Sequence, residues 1–499
     1  MPRFRLKTPV QIRMPSERDS LRGSRRSPAL GAAFLAAQTL SLNAISLFTT
    51  AFIVRQLGPL QYGEWAAAAS LAAAHLVITN VGLRTLFVRD VARRPEDAAD
   101  LLAEQLGLRL ALGALAGAIA IVVCVLVGYP PVVTACMVVG CVWILLSVVG
   151  STLGDVLQAM ERFGTYSAVG VVSGLAVTTA SVVAVLAGSG PIALSVAYLA
   201  QPVVSVWLLG REARRHVRLG VRWDWQSAKR LLKESRVLGA SAVAAAAGDR
   251  AVQLLVPAVV GLEAFGVFSA GTIVADRLGN VPDAVATAFY PWVSRAAVEP
   301  GQSNGEPASS MLTIGLAACV PMAVVGAYLA RPIARTLLPH DSQVGASVIQ
   351  VTMLALPLLA LSTGMSFCLQ AAGRHNTAAR VGIGASLFSV ALSALCVTMS
   401  GTVGASWALV ARPAILALAL APVFHATFPG ALRRLPLFRI LISSAGLAAL
   451  CHLTRDRHVV IAVGSSLASV GVYAAGLMAM RVFSVSDVFR LLSRTGDQR

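Results

Sequence analysis

Charge is what this chain has least of. Only 13% of its 499 residues are Asp, Glu, Lys or Arg, about half the ~25% usual in soluble domains. A water-soluble chain of this length divides into domains that each need a polar surface, and this sequence cannot supply one. Acidic residues are the scarcer sign, 23 against 41 basic. The seven cysteines (Cys124, Cys136, Cys141, Cys319, Cys368, Cys396 and Cys451) lie in or beside apolar runs and show no CxxC spacing. That argues against a zinc site and a disulfide framework, and they read as small packing residues. No nucleotide-phosphate motif is found on the side of the basic loops.

Long apolar runs, by contrast, recur from Pro28 to Met480, and the mean hydropathy is +0.73. In hydrocarbon every backbone polar group must be bonded internally, so such runs are helices or barrel strands. They reach about 20 residues, a helix-spanning length, and lack the two-residue alternation of a barrel. The chain is therefore expected to be an all-α polytopic membrane protein with about 14 transmembrane helices. The expected spans are 29–53, 64–88, 105–127, 131–157, 165–187, 191–210, 237–260, 263–290, 310–330, 345–371, 380–399, 402–424, 437–453 and 458–480.

The net charge of +18 does not indicate nucleic acid, because the basic residues sit in short loops between apolar runs. Alternate loops hold 31 of the 41 Lys and Arg: the N-terminal tail, Arg89/Arg93/Arg94, Arg162, the 211–236 segment, Arg295, Arg374/Arg380, Arg433/Arg434/Arg439 and the C-terminal tail. The opposite side has five: Arg55, Arg331, Arg335, Arg455 and Arg457. By the positive-inside rule both termini are cytoplasmic, the membrane is the inner one, and the surface faces anionic lipids. The basic segment before Pro28 reads as a cytoplasmic tail, with an uncleaved first helix after it. Within 211–236, the stretch Trp223-Asp-Trp-Gln-Ser-Ala-Lys-Arg-Leu-Leu-Lys233 reads as an interfacial amphipathic helix with tryptophan anchors. The longest loop on the other side, around 331–344, has about 14 residues.

Two hairpins repeat each other. Leu57-Gly-Pro-Leu-Gln-Tyr-Gly-Glu-Trp-Ala66 aligns with Val260-Gly-Leu-Glu-Ala-Phe-Gly-Val-Phe-Ser269 at an offset of 203, placing Gly58 on Gly261 and Gly63 on Gly266. Each joins the first and second spans of a six-span block, so the blocks share one topology, as in parallel repeats about an axis along the membrane normal. The expected organisation is a basic tail (1–28), an N-lobe of helices 1–6 (29–210), an interlobe linker (211–236), a C-lobe of helices 7–12 (237–424), helices 13–14 (425–480) and a tail (481–499).

The hairpin Leu57-Gly-Pro-x-Gln-Tyr-Gly63 resembles the Wzx-like oligosaccharide and polysaccharide flippases of the multidrug/oligosaccharidyl-lipid/polysaccharide exporter superfamily. So do Leu86-Phe-Val-Arg-Asp90, Asp224-Trp-x-x-Ala-Lys-Arg230, Gly261-x-Glu-Ala-x-Gly266 and Phe289-Tyr-Pro-Trp-Val-Ser294. The resemblance runs over roughly 30–425. It implies two six-helix lobes around a central cavity, alternating access, and export of a polyprenyl-diphosphate-linked glycan. Glycosyltransferases or a polysaccharide polymerase would then be its partners. No cofactor is implied, and proton or sodium coupling is left open.

Charged residues inside a span are expensive and face a partner or a wet cavity. Asp249 and Arg250 lie 12–13 residues into the seventh span, roughly 20 Å at 1.5 Å per residue, and Asp276 and Arg277 lie at a similar depth in the eighth. Adjacent residues project about 100° apart, so neither pair closes well on itself; a pairing such as Asp249 with Arg277 is the expected solution. Asp276, Asn280 and Asp283 form one polar stripe at i, i+4 and i+7. Two readings follow. In the first the charges neutralise one another and pin two helices together. In the second Arg250 and Arg277 line the cavity and hold the diphosphate, since a planar guanidinium fork matches phosphate oxygens, while Asp249 or Asp276 tunes or couples transport. Arg412, beside Pro413, is a third cavity cation or a structural residue. Asn43 reads as interhelical glue or a ligand, and His75 as a packed neutral ring or a protonatable group. Arg84 and Arg109 are expected to snorkel to the interface. Gly113-x-x-x-Gly117 and Gly170-x-x-x-Gly174 mark close helix packing.

The expected function is a non-enzymatic flippase moving a polyprenyl-diphosphate-linked oligosaccharide to the outer leaflet. A peptidoglycan-precursor flippase and a cation-coupled multidrug exporter are the alternatives. A membrane glycan polymerase or ligase fits poorly, because it needs sizeable extracytoplasmic loops.

Overall fold

The computed structural model describes residues 28–480 except 81, 161, 299–304, 339–341, 454–468 and 479. Both expected tails and the first part of the fourteenth span (458–468) lie outside the described residues, as do Arg455 and Arg457. Among the described residues the regular structure is helical throughout. The elements are α1 (Pro28–Leu76), α2 (Leu83–Arg93), α3 (Ala98–Val127), α4 (Pro131–Ala159), α5 (Phe163–Leu186), α6 (Gly190–Tyr198), α7 (Ala200–Ala213) and α8 (Trp225–Val259). There follow α9 (Leu262–Leu278), α10 (Asn280–Val298), α11 (Gly305–Tyr328), α12 (Ala330–Leu337), α13 (Ser342–Met353), α14 (Ala355–Ala371), α15 (His375–Thr427), α16 (Leu437–Leu453) and α17 (Ser469–Met478).

Glycine and proline decide how these map onto membrane crossings. α1 is two helices meeting at Gly58, whose φ of 76° and ψ of 168° suit glycine but not a residue with a Cβ. Pro59 then takes the first helical position, where its missing N–H costs nothing. α15 is likewise broken at Gly401. Four other crossings are interrupted four residues before a proline: α6 ends at Tyr198 before Pro202, α9 at Leu278 before Pro282, α11 at Tyr328 before Pro332, and α13 at Met353 before Pro357. Proline has no N–H for the carbonyl four residues back, and its ring crowds that carbonyl. The unbroken spans expected over 191–210, 263–290 and 345–371 are thus each kinked pairs. Prolines 257, 321, 413 and 422 are accommodated inside continuous helices. Among the described residues eight helical stretches, including the kinked α6–α7 and α13–α14 pairs and the split α15, are long and apolar enough to cross a membrane. The second half of α15, the two halves of α1, the α9–α10 pair, α16 and α17 bring the crossings to about fourteen.

Two expectations about loops change. The amphipathic 223–233 stretch is not a separate interfacial element: from Trp225 it runs unbroken into the seventh span as α8, because no breaker lies between Lys233 and Gly239. Asp224 caps this helix, accepting from the backbone N–H groups of Gln226 (3.4 Å) and Ser227 (2.9 Å). Hydrogen bonding from the Ser227 side chain and backbone holds the Asp224 carboxyl below its ordinary range. Trp223 and Trp225 are exposed with ring centroids 6.2 Å apart, and the Lys229 ammonium lies over the Trp225 ring. The 331–344 loop is largely taken up by α12, which leaves it shorter than its residue count suggested.

The core is distributed. One apolar cluster joins residues of both sequence repeats, among them Tyr62, Trp65, Ala66, Phe265, Val267 and Phe268. Smaller clusters accompany it, one joining Leu83 and Leu108 to Ala228 and Leu231 of α8, and Ile440, Leu447, Cys451, Tyr473 and Leu477 pack α16 and α17 onto Leu316 of α11. Gly113 rests against Ile144, Leu145 and Val148, and Gly117 against Cys141, so the first of the small-residue motifs packs α3 on α4. Large aliphatic side chains such as Leu126 (80% exposed), Leu186 and Leu418 point away from the protein. Apolar surface of that kind needs a hydrocarbon solvent.

Candidate functional site

The site lies where α8, α9, α10 and α15 meet the first half of α1. Asp249 and Arg250 project from α8, ten and eleven residues beyond Gly239, where its membrane-crossing part begins, a depth of about 15 Å at 1.5 Å per residue. Asp249 forms an ion pair with Arg412 of α15. This corrects the expected pairing of Asp249 with Arg277. The reason is packing: α15 lies directly on α8, and Gly248 leaves room for it. A Cβ there would stand 3.2 Å from both the Arg412 Nε and the Ser386 Cβ. Half of the Asp249 side chain is exposed, against 18% of Arg412. Arg250 donates to Gln253 Oε1 at 2.7 Å on its own helix.

Asp276, Arg277, Asn280 and Asp283 flank the proline-induced break between α9 and α10. Carbonyls near such a break need outside donors, and two amides supply them. The Nδ2 of Asn43, from α1, donates to the Arg277 carbonyl at 3.3 Å, and the Nδ2 of Asn280 donates to it at 3.4 Å. Asn43 thus bonds to another helix, as the glue reading expected. Among the described residues Asp276 makes no ion pair within 4.0 Å. It lies exposed within electrostatic reach of Arg250 and Arg277. Asp283 lies within electrostatic reach of Asp249, a like charge. Tyr62 and Tyr198 lie within reach of Arg277, whose Nε is buried without a partner. The cluster therefore holds Asp276 within electrostatic reach of both Arg250 and Arg277, and Asp249, paired with Arg412, within reach of Arg250 and Asp283.

His75 stands apart from that chemistry. Its Nδ1 bonds the Leu71 carbonyl one turn back on α1, at 2.8 Å. Arg109 is a clear correction. It does not snorkel: it is 2% exposed, and its guanidinium donates to Asp155 (2.9 Å), Thr152 (3.0 Å) and Asn80 (3.1 Å). Arg84 closes the far side of Asp155 at 3.1 Å and donates to Gln158 at 2.5 Å. Asp155 went unnoticed in the sequence although a lone carboxylate in a span is itself a signal. Among the described residues no group of three or more His, Cys, Asp or Glu side chains converges as a metal site would need.

A polytopic all-α membrane protein with polar groups gathered between two repeated halves is built as a transporter. The model of the polysaccharide biosynthesis protein family matches residues 52–343, and the chain belongs to that family. The fold is similar to that of lipid II flippase MurJ in an inward closed conformation, at TM-score 0.71 and 12% identity over 90% of this chain and 99% of that one. It is also similar to an inward-facing multidrug resistance MATE family transporter of the MOP superfamily (TM-score 0.58, 14% identity, 79% and 98% covered). A MOP superfamily transporter from Pyrococcus furiosus, described as having a binding pocket of reversed polarity, matches at TM-score 0.55 and 15% identity, with 81% and 96% covered. No curated protein matches the chain by sequence. The family is that of polysaccharide biosynthesis proteins, and the fold is one shared with a flippase and with multidrug transporters.

Proposed function

We propose that this protein carries a polyprenyl-diphosphate-linked oligosaccharide from the cytoplasmic to the outer leaflet of the inner membrane by alternating access, for assembly of a cell-surface polysaccharide. The observation that carries the proposal is the pair of guanidiniums deep in the bundle, Arg250 and Arg277, neither bound to a carboxylate within 4.0 Å among the described residues. A diphosphate is the natural ligand for such a pair, because arginine keeps its charge at any accessible pH and binds phosphate oxygens through two parallel hydrogen bonds. Asp276, within electrostatic reach of both, offsets part of their charge until the ligand arrives. Tyr198, partly exposed and within electrostatic reach of Arg277, offers a hydroxyl for the first sugar. In this reading Arg412 is held by Asp249 and belongs to the support of the site. Both termini and the linker then face the cytoplasm, and the exposed Trp223 and Trp225 sit at that membrane surface.

The test is the lipid-linked glycan itself. Deleting the gene should leave it on the inner leaflet, the natural chain should restore export, and chains carrying Arg250→Ala or Arg277→Ala should not. Full export by both variants would remove the arginines from the mechanism. A second reading, a flippase for a peptidoglycan-precursor lipid, is favoured by the extent of the likeness to MurJ. It is separated from the first by which lipid accumulates, since both carry a diphosphate. A cationic-drug exporter is disfavoured, because among the described residues neither deep guanidinium is neutralised by a carboxylate within 4.0 Å, and the two would repel a cation.

A further inference from the structure

The two repeated hairpins meet each other, and their meeting is reciprocal. Gly58 and Gly261 occupy the same unusual backbone region (φ 76° and 109°, ψ 168° and 166°), so the second half of α1 and the whole of α9 start with one geometry. Five residues on, the equivalent glycines Gly63 and Gly266 face across the boundary between the halves. A Cβ on Gly63 would fall on the Leu262 carbonyl oxygen and come within 3.0 Å of the Gly266 nitrogen. One on Gly266 would fall on the Pro59 carbonyl oxygen, within 3.1 Å of the Gly63 nitrogen. Pro59 and Leu262 are themselves equivalent in the repeat. The helices therefore touch backbone to backbone about a local twofold axis, with Tyr62, Phe265 and Phe268 buried around the contact.

This crossing lies at the hairpin end, opposite the arginine-rich loops. Gly266 precedes Asp276 by ten residues, about 15 Å of helix, so the crossing stands between that end and the polar cluster. The arginine-rich end is fastened differently. There Arg230 reaches Glu104 at 3.1 Å with more than half of its side chain exposed, the Arg222 N–H donates to the Ala103 carbonyl, and Ala228 and Leu231 rest on Leu83 and Leu108.

We propose that the Gly63–Gly266 crossing is the gate on the hairpin side, and that glycine at both positions sets how much of the protein stands closed there. Among the described residues the gate contains no ion pair, so it opens by separating apolar and backbone surfaces. Alanine at either position blocks only the closed arrangement. In the open one each residue is simply inside a helix, where alanine is the better former. The proposal rests on the alternating-access reading, but its main test requires no substrate.

In the reconstituted full-length protein, spin labels are placed at Leu60→Cys and Glu263→Cys, equivalent exposed positions on the two hairpins. The described native cysteines are buried or half-buried, and the chain without introduced cysteines serves as the labelling blank. The natural glycines should give one short distance. Gly63→Ala or Gly266→Ala should bring in a longer distance that becomes the main one, and Gly382→Ala, where a Cβ meets nothing within 4 Å, should leave the short one in place. Identical distances in all four chains overturn the gate. Should the alanine variants fail to fold, the double-cysteine chain still decides. Joining positions 60 and 263 with a short bifunctional thiol reagent should abolish the export that this chain restores to deleted cells, and undiminished export after joining overturns the proposal. If the chain restores nothing even before joining, the flippase reading fails instead, and the distances stand as the test of the gate.

Discussion

Asp155→Ala is the substitution whose cost the structure lets one work out. Asp155 is almost fully buried, and Arg109 beside it is 2% exposed. Removing the carboxylate leaves Arg109 only the neutral oxygens of Thr152 and Asn80. Two unit charges at the observed 2.9 Å attract by ~6 kcal/mol at an effective dielectric constant of ~20. Relaxation and water entry return part of this, and removing one partner of a buried pair typically costs about 3–5 kcal/mol. Such a loss is a large share of the ~5–15 kcal/mol that holds a folded protein together. In detergent the variant should unfold well below the natural chain by fluorescence-detected thermal melting. The informative partner is the double variant Arg109→Met/Asp155→Leu, which buries no charge. Replacing both members of a buried pair by apolar groups is often neutral or better, so the double variant should melt near the natural chain. An Asp155→Ala chain that melts with the natural one, or a double variant that melts below the single, would refute the buried-pair argument.

Arg84→Ala should be far milder, within ~1 kcal/mol, since its side chain is half exposed and solvent screens its contact with Asp155; the same melting assay checks it. Exchanging charges in Asp249→Arg/Arg412→Asp should restore the folded yield that Arg412→Asp alone loses, by size-exclusion chromatography, if the pair fastens α8 to α15. The folded-state pKa of Asp224 lies below its unfolded value, so its contribution to holding α8 is present above the unfolded value and lost as pH falls through the folded one. Proteolysis of the 211–236 segment should therefore quicken on acidification in the natural chain and change less in Asp224→Asn.

The class of fold was legible in the sequence because a bilayer imposes one blunt requirement, about twenty apolar residues per crossing. The repeat was legible because Gly58 and Gly261 must adopt a backbone that glycine alone takes easily. The kinks were not read, although their signal was present: each of prolines 202, 282, 332 and 357 forbids the hydrogen bond that would have continued its helix. Prolines 257, 321, 413 and 422 show why that signal is incomplete, since continuous helices hold them. Partner choice was harder still. Depth along a helix placed Asp249 and Arg277 level with each other, but pairing depends on which helix lies against which, and that put Arg412 beside Asp249. The burial of Arg109 escaped notice because its partner Asp155 is 46 residues away on another helix, at a spacing no local pattern encodes.

The central claim is that two deep guanidiniums carry a diphosphate across the membrane. It is tested most directly in proteoliposomes loaded with the lipid-linked glycan that accumulates in deleted cells. The readout is the rate at which the glycan becomes accessible to a glycosidase outside the vesicles. The natural chain should make it accessible, and Arg250→Ala/Arg277→Ala, folded and reconstituted to the same density, should fall to the rate of empty vesicles. Transfer by that double variant at the natural rate would contradict the claim.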